Sequence, residues 1–482
     1  MLSSGVNAFL EACATSAGDA PKPASLASCA LPTAPSALSA LDQSADAVAK
    51  LCRLIANLCI TPDLAAIVIR SKAFDALPLL LHLVCTTRTV RGGGGSALPE
   101  AGADDAALPH APELLSTVIS MVTNASFFVS PADVNRAAEA ALVAVEAAMK
   151  LDAAAHGSGT PAGWHVALAL SSSSTYGGHG LAGVLPSLLV LFADVVAAAT
   201  AQLLASALEA ASEESAAALA FQEQVATECL RAMSNIVRSP SARLLLYTIA
   251  SDAASSDASY TAPASSFPAA LVCLLHGFVT ASELEEECTS GRLAWCYNGD
   301  IVYTLCGVIL NLVADPCWRM GAAMPQHGVA LLTTVRAAPA LRTAVEHAAG
   351  EWQRDLWQRL CQPSSLVDLL CAATSAAYSG VADDSVATVC MQALVNYCQG
   401  WRRDPVVASD GGEDTGGAVG VDAVDARFSY AQALSLLTLL GNILDDAVAG
   451  EGMDTPLASV ALQLRAEIKD MVDEGAFFDA NE

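Results

Sequence analysis

The stretch LCRLIANLCITPD, residues 51–63, decides the predicted fold, because it joins an apolar helical run to an Asn and then to a Pro. Its aliphatic residues recur at helical spacing on one face, at Leu51, Leu54, Ile55 and Leu58. We expect a neighbouring helix to cover this face. Asn57 can bond backbone groups of the turn, and Pro62 stops the helix and sets the start of the next one.

The same phrase recurs along the chain. Its Asn is found at residues Asn57, Asn124, Asn235, Asn311, Asn396 and Asn442. In the first four copies a Pro follows the Asn by five to seven residues, at Pro62, Pro131, Pro240 and Pro316. A phrase repeated in this way indicates a chain built from stacked helical repeats. The composition agrees, because Ala and Leu dominate it and are strong helix formers.

The repeated phrase resembles the armadillo repeat, whose long third helix ends in a similar Asn-containing motif. The resemblance implies an all-α fold, an armadillo-type α-solenoid that forms a right-handed superhelix. Successive Asn residues lie 46 to 111 positions apart, whereas an armadillo repeat needs roughly 40–47 residues. We therefore predict about seven repeats, with the surplus length in disordered loop insertions.

The insertions are rich in Gly, Ser, Ala and Asp. They are predicted near residues 91–105, 156–180, 251–266 and 409–425. We treat residues 45–475 as one solenoid domain, preceded by a partly disordered segment over 1–44 and followed by an acidic tail over 476–482. The most apolar segment, 181–208, is interrupted by Pro186, Asp194 and Gln202, so it predicts a pair of solenoid helices and not a membrane span.

Charge and cysteine usage narrow the function classes. The formal charge of −27 repels phosphate backbones, so nucleic acid is not an expected partner, and no membrane partner is expected. The 15 cysteines form no Cys-x-x-Cys pair, and they suit reduced core thiols of a soluble protein in the cytoplasm. The N-terminus lacks the basic region of a signal peptide. Neither metal-ligand spacing nor a catalytic motif is found, so we expect no enzyme, no cofactor and no metal.

The Asn positions are the candidate site. In armadillo solenoids this Asn lies along the concave groove, where it can bond the backbone of an extended partner; alternatively, each Asn ties its own turn together. Nuclear-import adaptors of this fold place Trp one turn before the Asn, and no Trp occupies that position here. Arg53 and Arg231 stand there in two copies and Arg238 follows the second, so they are candidate contacts for acidic peptide groups.

Several phrases resemble one armadillo family more closely, the ciliary armadillo-repeat-containing protein 2 group. They are LCRLIANLCITPDLA (51–65), PELLSTVISMVTNASFF (112–128), ECLRAMSNIVRSPSAR (228–243), NGDIVYTLCGVILNLVADPCWR (298–319) and VATVCMQALVNYCQ (386–399). This resemblance implies a non-enzymatic adaptor that assembles axonemal radial spokes in cilia and flagella. The implied partners are axonemal or intraflagellar-transport proteins. The alternative is a general cytosolic armadillo scaffold that binds an extended or acidic peptide in its concave groove.

Overall fold

The computed structural model describes residues 35–70, 111–155, 184–205, 213–255, 266–283, 299–323, 326–327, 351–381, 383–403, 430–450 and 452–473. Within these residues the chain is helical, as the sequence predicts. The exception is one antiparallel pair of two-residue strands, β1 (Gln326–His327) and β2 (Pro363–Ser364). The described residues fall into two compact units. The first holds those within 1–198 and 224–267, and the second holds the remainder.

The helices are numbered in chain order. Those before residue 260 are α1 (Pro35–Leu58), α2 (Pro62–Arg70), α3 (Ala111–Phe128), α4 (Pro131–Ala155), α5 (Leu185–Ala205), α6 (Glu213–Ile236) and α7 (Pro240–Ser255). Those after it are α8 (Ser266–Glu283), α9 (Gly299–Leu312), α10 (Pro316–Ala323), α11 (Glu351–Cys361), α12 (Leu366–Ala376), α13 (Asp384–Arg403), α14 (Tyr430–Ala449) and α15 (Pro456–Asp473). A π-helical turn, Ala377–Val381, extends α12.

The predicted turn chemistry is confirmed, because a Pro begins the helix that follows several of the phrases. The predicted junctions are Thr61–Pro62, Ser130–Pro131, Ser239–Pro240 and Asp315–Pro316, and a further one, Thr455–Pro456, was not predicted. Pro suits the first helical position, where its missing N–H has no partner to lose, and the side chains of Ser130, Ser239, Asp315 and Thr455 each accept a backbone N–H of the helix that follows. Ser130 Oγ accepts a bond from the Asp133 N–H at 3.1 Å, and Thr455 Oγ1 accepts one from the Ala458 N–H at 3.2 Å.

The buried face of α1 differs from the prediction. Leu54 is 56% exposed and Leu58 is 37% exposed. The side chains that are buried instead are small and also helically spaced, at Ala45, Val48, Ala49, Cys52, Ala56 and Cys59. Small side chains let neighbouring helices approach closely, so the aliphatic residues point away from the contact.

The buried cysteines agree with the predicted reduced core. The described cysteines are free thiols, and seven of them are buried, at Cys52, Cys59, Cys229, Cys273, Cys306, Cys390 and Cys398. Burial raises the pKa of the Cys52 thiol to about 12 and that of Cys273 to about 11. Such thiols stay protonated and pack as small apolar side chains.

Other predictions from the sequence can be compared with the structure only where their residues are described. Helix α1 begins at Pro35, inside the segment predicted as partly disordered over 1–44. The predicted helix pair at 181–208 is wrong, since the described part forms the single helix α5. Of the predicted insertion at 251–266, the first five residues end α7 and the last begins α8. The predicted insertions at 91–105, 156–180 and 409–425 and the tail at 476–482 lie outside the described residues.

An Arg closes the turn in two copies of the phrase, NIVRSPSAR (235–243) and NLVADPCWR (311–319). Arg243 Nη1 donates to the carbonyls of Val237 and Arg238 at 3.1 and 3.2 Å. Arg319 Nη1 donates to the carbonyls of Val313 and Ala314 at 3.4 and 3.0 Å. The Arg stands eight residues after the Asn each time, so the two turns share one capping arrangement for carbonyls that have no helical donor.

The second of these caps is enclosed. Arg319 is 3% exposed, and a Cβ at Gly400 of α13 would overlap its guanidinium group. A buried guanidinium is stable only when its donors are bonded, so Gly400 leaves room for a group that must stay in place.

Gly400→Ala is therefore expected to lower the free energy of unfolding by about 1–3 kcal/mol, because the added methyl displaces Arg319 from the turn carbonyls. Gly441→Ala is the matched control, since a Cβ at that helical position of α14 meets no atom within 4 Å. It should be neutral or stabilising by up to about 1 kcal/mol. Chemical denaturation measures both; equal stability of the two variants would contradict the packing of Gly400 on Arg319.

Candidate partner-binding surface

Each unit contains a row of long helices that run parallel. In the first unit, side chains join α1 to α3 and α3 to α6. The contacts are Arg53 with Glu113 (2.7 Å), Asn124 with Ala56 (3.1 Å), Thr123 with Glu228 (3.2 Å) and Asn235 with Ser126 (3.1 Å). At both junctions the residue numbers rise together along the two helices, so the helices point the same way.

The second unit repeats this arrangement with α9, α13 and α15. The contacts are Cys306 Sγ with Cys390 Sγ (3.3 Å), Asn396 with Leu310 (3.1 Å), Gln399 with Glu467 (2.8 Å) and Arg402 with Asp470 (2.9 Å). Residue numbers again rise together along each helix pair. The row therefore places three parallel helices side by side, with α13 in contact with both of the others.

Two of the predicted Asn residues make equivalent bonds. Asn124 Nδ2 donates to the carbonyl of Ala56, and Asn396 Nδ2 donates to the carbonyl of Leu310, each at 3.1 Å. Each acceptor is the residue just before the Asn of the preceding phrase. It also lies in the last four residues of its helix, where a carbonyl has no helical donor. These Asn residues therefore cap the neighbouring helix, which is a structural role different from tying their own turn.

Asn235 and Asn311 use their amides in other ways. Asn235 Nδ2 donates to Ser126 Oγ at 3.1 Å, and that hydroxyl donates to the Thr123 carbonyl at 2.7 Å, so the α6 amide also acts on the C-terminal turn of α3. Asn311 Nδ2 donates to the Gly307 carbonyl of its own helix at 2.9 Å. Of these two, only Asn235 links neighbouring helices.

The two remaining Asn residues are exposed. Asn57 lies in the last turn of α1, the first helix of its row. Asn442 lies in the middle of α14, which packs on α15 and α12, outside the row of α9, α13 and α15. The structure therefore places Asn442 outside the row that contains Asn396, the Asn that links two of its helices.

The candidate Arg residues already have acidic neighbours. Arg53 pairs with Glu113 across helices at 2.7 Å, and Arg231 pairs with Glu228 on its own helix at 3.0 Å. Both pairs are partly exposed, so each contributes little to stability. Arg238 is exposed in the turn after α6. An acidic peptide that bound Arg53 or Arg231 would meet a guanidinium whose charge is already partly compensated by a carboxylate of this chain.

A cleft of about 470 Å³ opens along α13 in the second unit. Its lining comes from α9, from the first three turns of α13 and from the start of α15. The residues are Tyr303, Leu310, Asp384, Ser385, Thr388, Val389, Gln392, Thr455, Pro456 and Leu457. Gln392 lies one turn before Asn396, so the cleft continues along the same row. The Asn phrase alone predicted none of the cleft residues around it.

A second polar feature is buried in α8. The Nε2 atom of His276 and the Oγ1 atom of Thr280, one turn apart, have no hydrogen-bond partner among the residues that the structure describes. His276 is 8% exposed. Burial lowers the pKa of His276 to about 4, and the positive charge of Arg359 adds to the shift. The folded chain therefore holds this imidazole neutral at physiological pH.

Comparison with known proteins identified no matching protein-family model, no curated relative and no similar solved structure. Among the described helices, none combines the length and apolar character that a bilayer crossing requires. The described residues also contain no group of three or more His, Cys, Asp or Glu side chains that could hold a metal ion.

The capping role of Asn396 gives a direct stability prediction. Asn396→Ala removes the donor to the Leu310 carbonyl and should lower the free energy of unfolding by about 1–3 kcal/mol. Asn442→Ala, at an exposed helical position, should change it by less than about 0.5 kcal/mol. Denaturant titration of the two variants measures the difference. A loss at Asn442 as large as that at Asn396 would reject the proposed distinction.

His276 predicts a pH dependence. The unfolded chain binds a proton at His276 near the ordinary pKa of 6.5, whereas the folded chain binds it only near pH 4. The contribution of neutral His276 to the free energy of unfolding is therefore complete above pH 6.5, and it is lost as the pH falls toward 4. His276→Gln should reduce the loss of unfolding free energy between pH 7 and pH 5, measured by denaturation at each pH. Identical losses in the variant and the wild type would contradict the assignment.

Proposed function

We propose that this chain is a non-enzymatic protein-binding scaffold, built as an armadillo-type α-solenoid of about seven repeats. The observation that carries the proposal is the bond made by Asn124 and Asn396. In both units an Asn of one long helix donates to the carbonyl just before the equivalent Asn of the preceding long helix. The same bond at the same position in parallel helices is what stacked copies of one repeat would produce.

The shared turn supports the same proposal. Arg243 and Arg319 close turns of identical length, and a Pro begins the helix after each turn. Repeats that stack in one direction expose a long row of helices, and such rows form extended surfaces for other proteins. The cleft along α13 lies on such a surface, since side chains of α9, α13 and α15, the three helices of the second row, line it.

The proposed setting is the axoneme. The proposal rests on the resemblance of the phrases at 51–65, 112–128, 228–243, 298–319 and 386–399 to the ciliary armadillo-repeat-containing protein 2 group. We extend the proposal to a cytoplasmic and ciliary adaptor that brings radial-spoke components to the axoneme. Its expected partners are axonemal or intraflagellar-transport proteins.

Removal of the chain from a flagellated cell that expresses it should leave axonemes without radial spokes and impair motility. Electron microscopy of axoneme cross-sections and motility tracking measure these effects, and re-expression of the wild-type chain should restore both. Normal spokes and normal swimming after complete removal would reject the radial-spoke role. Capture of non-axonemal proteins in place of spoke components by the tagged full chain would favour a general scaffold.

A further inference from the structure

We propose that the cleft along α13 binds an extended segment of a partner protein that inserts an apolar side chain and carries a neighbouring Lys or Arg. This ligand class rests on the proposed protein-binding function and makes it specific. The cleft is the space of about 470 Å³ between α9, α13 and the start of α15.

The apolar lining calls for an apolar side chain. Leu310 of α9, Val389 of α13 and Leu457 of α15 contribute to the wall of the cleft. Tyr303 also lines it and is 49% exposed, so much of its ring faces solvent. An exposed aromatic side chain beside an apolar cleft is typical of protein interfaces, because its flat surface loses little conformational entropy on binding.

A polar stripe on α13 suits the backbone of an extended segment. Ser385, Thr388 and Gln392 lie three and four residues apart on the helix face that lines the cleft. The carboxamide of Gln392 can donate to one peptide carbonyl and accept from one peptide N–H. Thr388 Oγ1 donates to the Asp384 carbonyl at 2.7 Å, so it keeps its acceptor lone pairs for a ligand. Main-chain bonds of this type give affinity without fixing the sequence of the segment.

Acidic side chains lie on the cleft and close to it in the sequence. Asp384 lines it, Asp300 is exposed in the first turn of α9, and Asp383 and Asp454 are exposed just before α13 and α15. Helix α9 and residues 384–401 of α13 contain no Lys, Arg or His. Carboxylates at an apolar cleft raise the local concentration of cationic side chains and favour a basic segment over a neutral one.

Two other occupants fit less well. An anionic group would be attracted by the N-terminal ends of the three parallel helices, but Asp300 and Asp384 already place carboxylates in the first turns of α9 and α13. A second copy of this chain would bring a further net charge of −27 toward an acidic surface. A basic segment of another protein is therefore the occupant that the charges favour.

The first experiment identifies which class of peptide the chain binds. Short linear peptides displayed on phage are selected on the immobilised full chain, and the selected peptides are synthesised with a fluorescent label. We expect them to combine Leu, Ile, Met or Phe with Lys or Arg, and we expect their affinity to fall as the salt concentration rises. Fluorescence polarisation with the full chain measures the affinity.

Matched variants then locate the binding site. Gln392→Arg fills the cleft and adds a positive charge, and it should weaken basic peptides by at least about tenfold. Gln463→Arg, exposed on α15 outside the cleft, makes the same substitution elsewhere and should leave the affinity unchanged. Asp384→Asn removes one exposed carboxylate and should weaken the same peptides about threefold. Thermal unfolding of each variant shows that the fold is retained.

Selection of only acidic or uncharged peptides, or of none, overturns the inference. So does an affinity that neither Gln392→Arg nor Asp384→Asn changes. In those cases capture of axonemal proteins by the full chain would still support the proposed adaptor function. Conversely, cleft-dependent binding of basic peptides by a chain that captures no axonemal protein would support the cleft inference and reject the ciliary role.

Discussion

The structure depends on how the last carbonyl groups of its long helices are satisfied. A helix leaves four C-terminal carbonyls without helical donors, and burial without a partner costs about 1–3 kcal/mol each. This chain supplies donors from side chains. Arg243 and Arg319 fold back onto the turn after their own helix, whereas Asn124 and Asn396 reach the end of the preceding long helix. The second device couples neighbouring helices, because the end of one is completed only when the next is in place.

This coupling explains why polar residues interrupt otherwise apolar helices. The buried face of α1 consists mainly of small side chains, such as Ala49, Cys52 and Ala56, which bring α1 and α3 close enough for a short Asn to bridge them. Arg319 and Gly400 solve the same problem in the second unit, since a missing side chain on α13 makes room for a capping group. Close packing and capping are therefore two results of one choice of residues.

The sequence predicted the local features well. Polar residue followed by Pro is a turn pattern with a physical cause, and at every junction within the described residues where the phrase carries a nearby Pro, a helix begins at that Pro. For Asn442, the phrase did not predict where the residue lies in the fold. No Pro follows it until Pro456, so α14 continues past the Asn and lies outside the row. The partner of Arg231, Glu228, is three residues away and could have been found from the sequence.

Other partners lie too far apart in the sequence to predict. Asn124 and Ala56 are 68 residues apart, and Asn396 and Leu310 are 86 apart, so no local pattern relates them. The cleft was not predicted, although one signal could have pointed to it: Ser385, Thr388 and Gln392 are polar residues spaced along one face of a helix. Tyr303 and Leu457 complete it only through the packing of α9 and α15 on α13.

Hydrogen–deuterium exchange of Asn396→Ala, followed by mass spectrometry, tests the coupling of neighbouring helices most directly. If Asn396 completes α9, peptides that cover the end of α9 and the turn before α10 should exchange faster than in the wild type, while the first turns of α9 keep their protection. Unchanged exchange at the end of α9, or an equal increase along the whole helix, would contradict the claim that one helix caps the next.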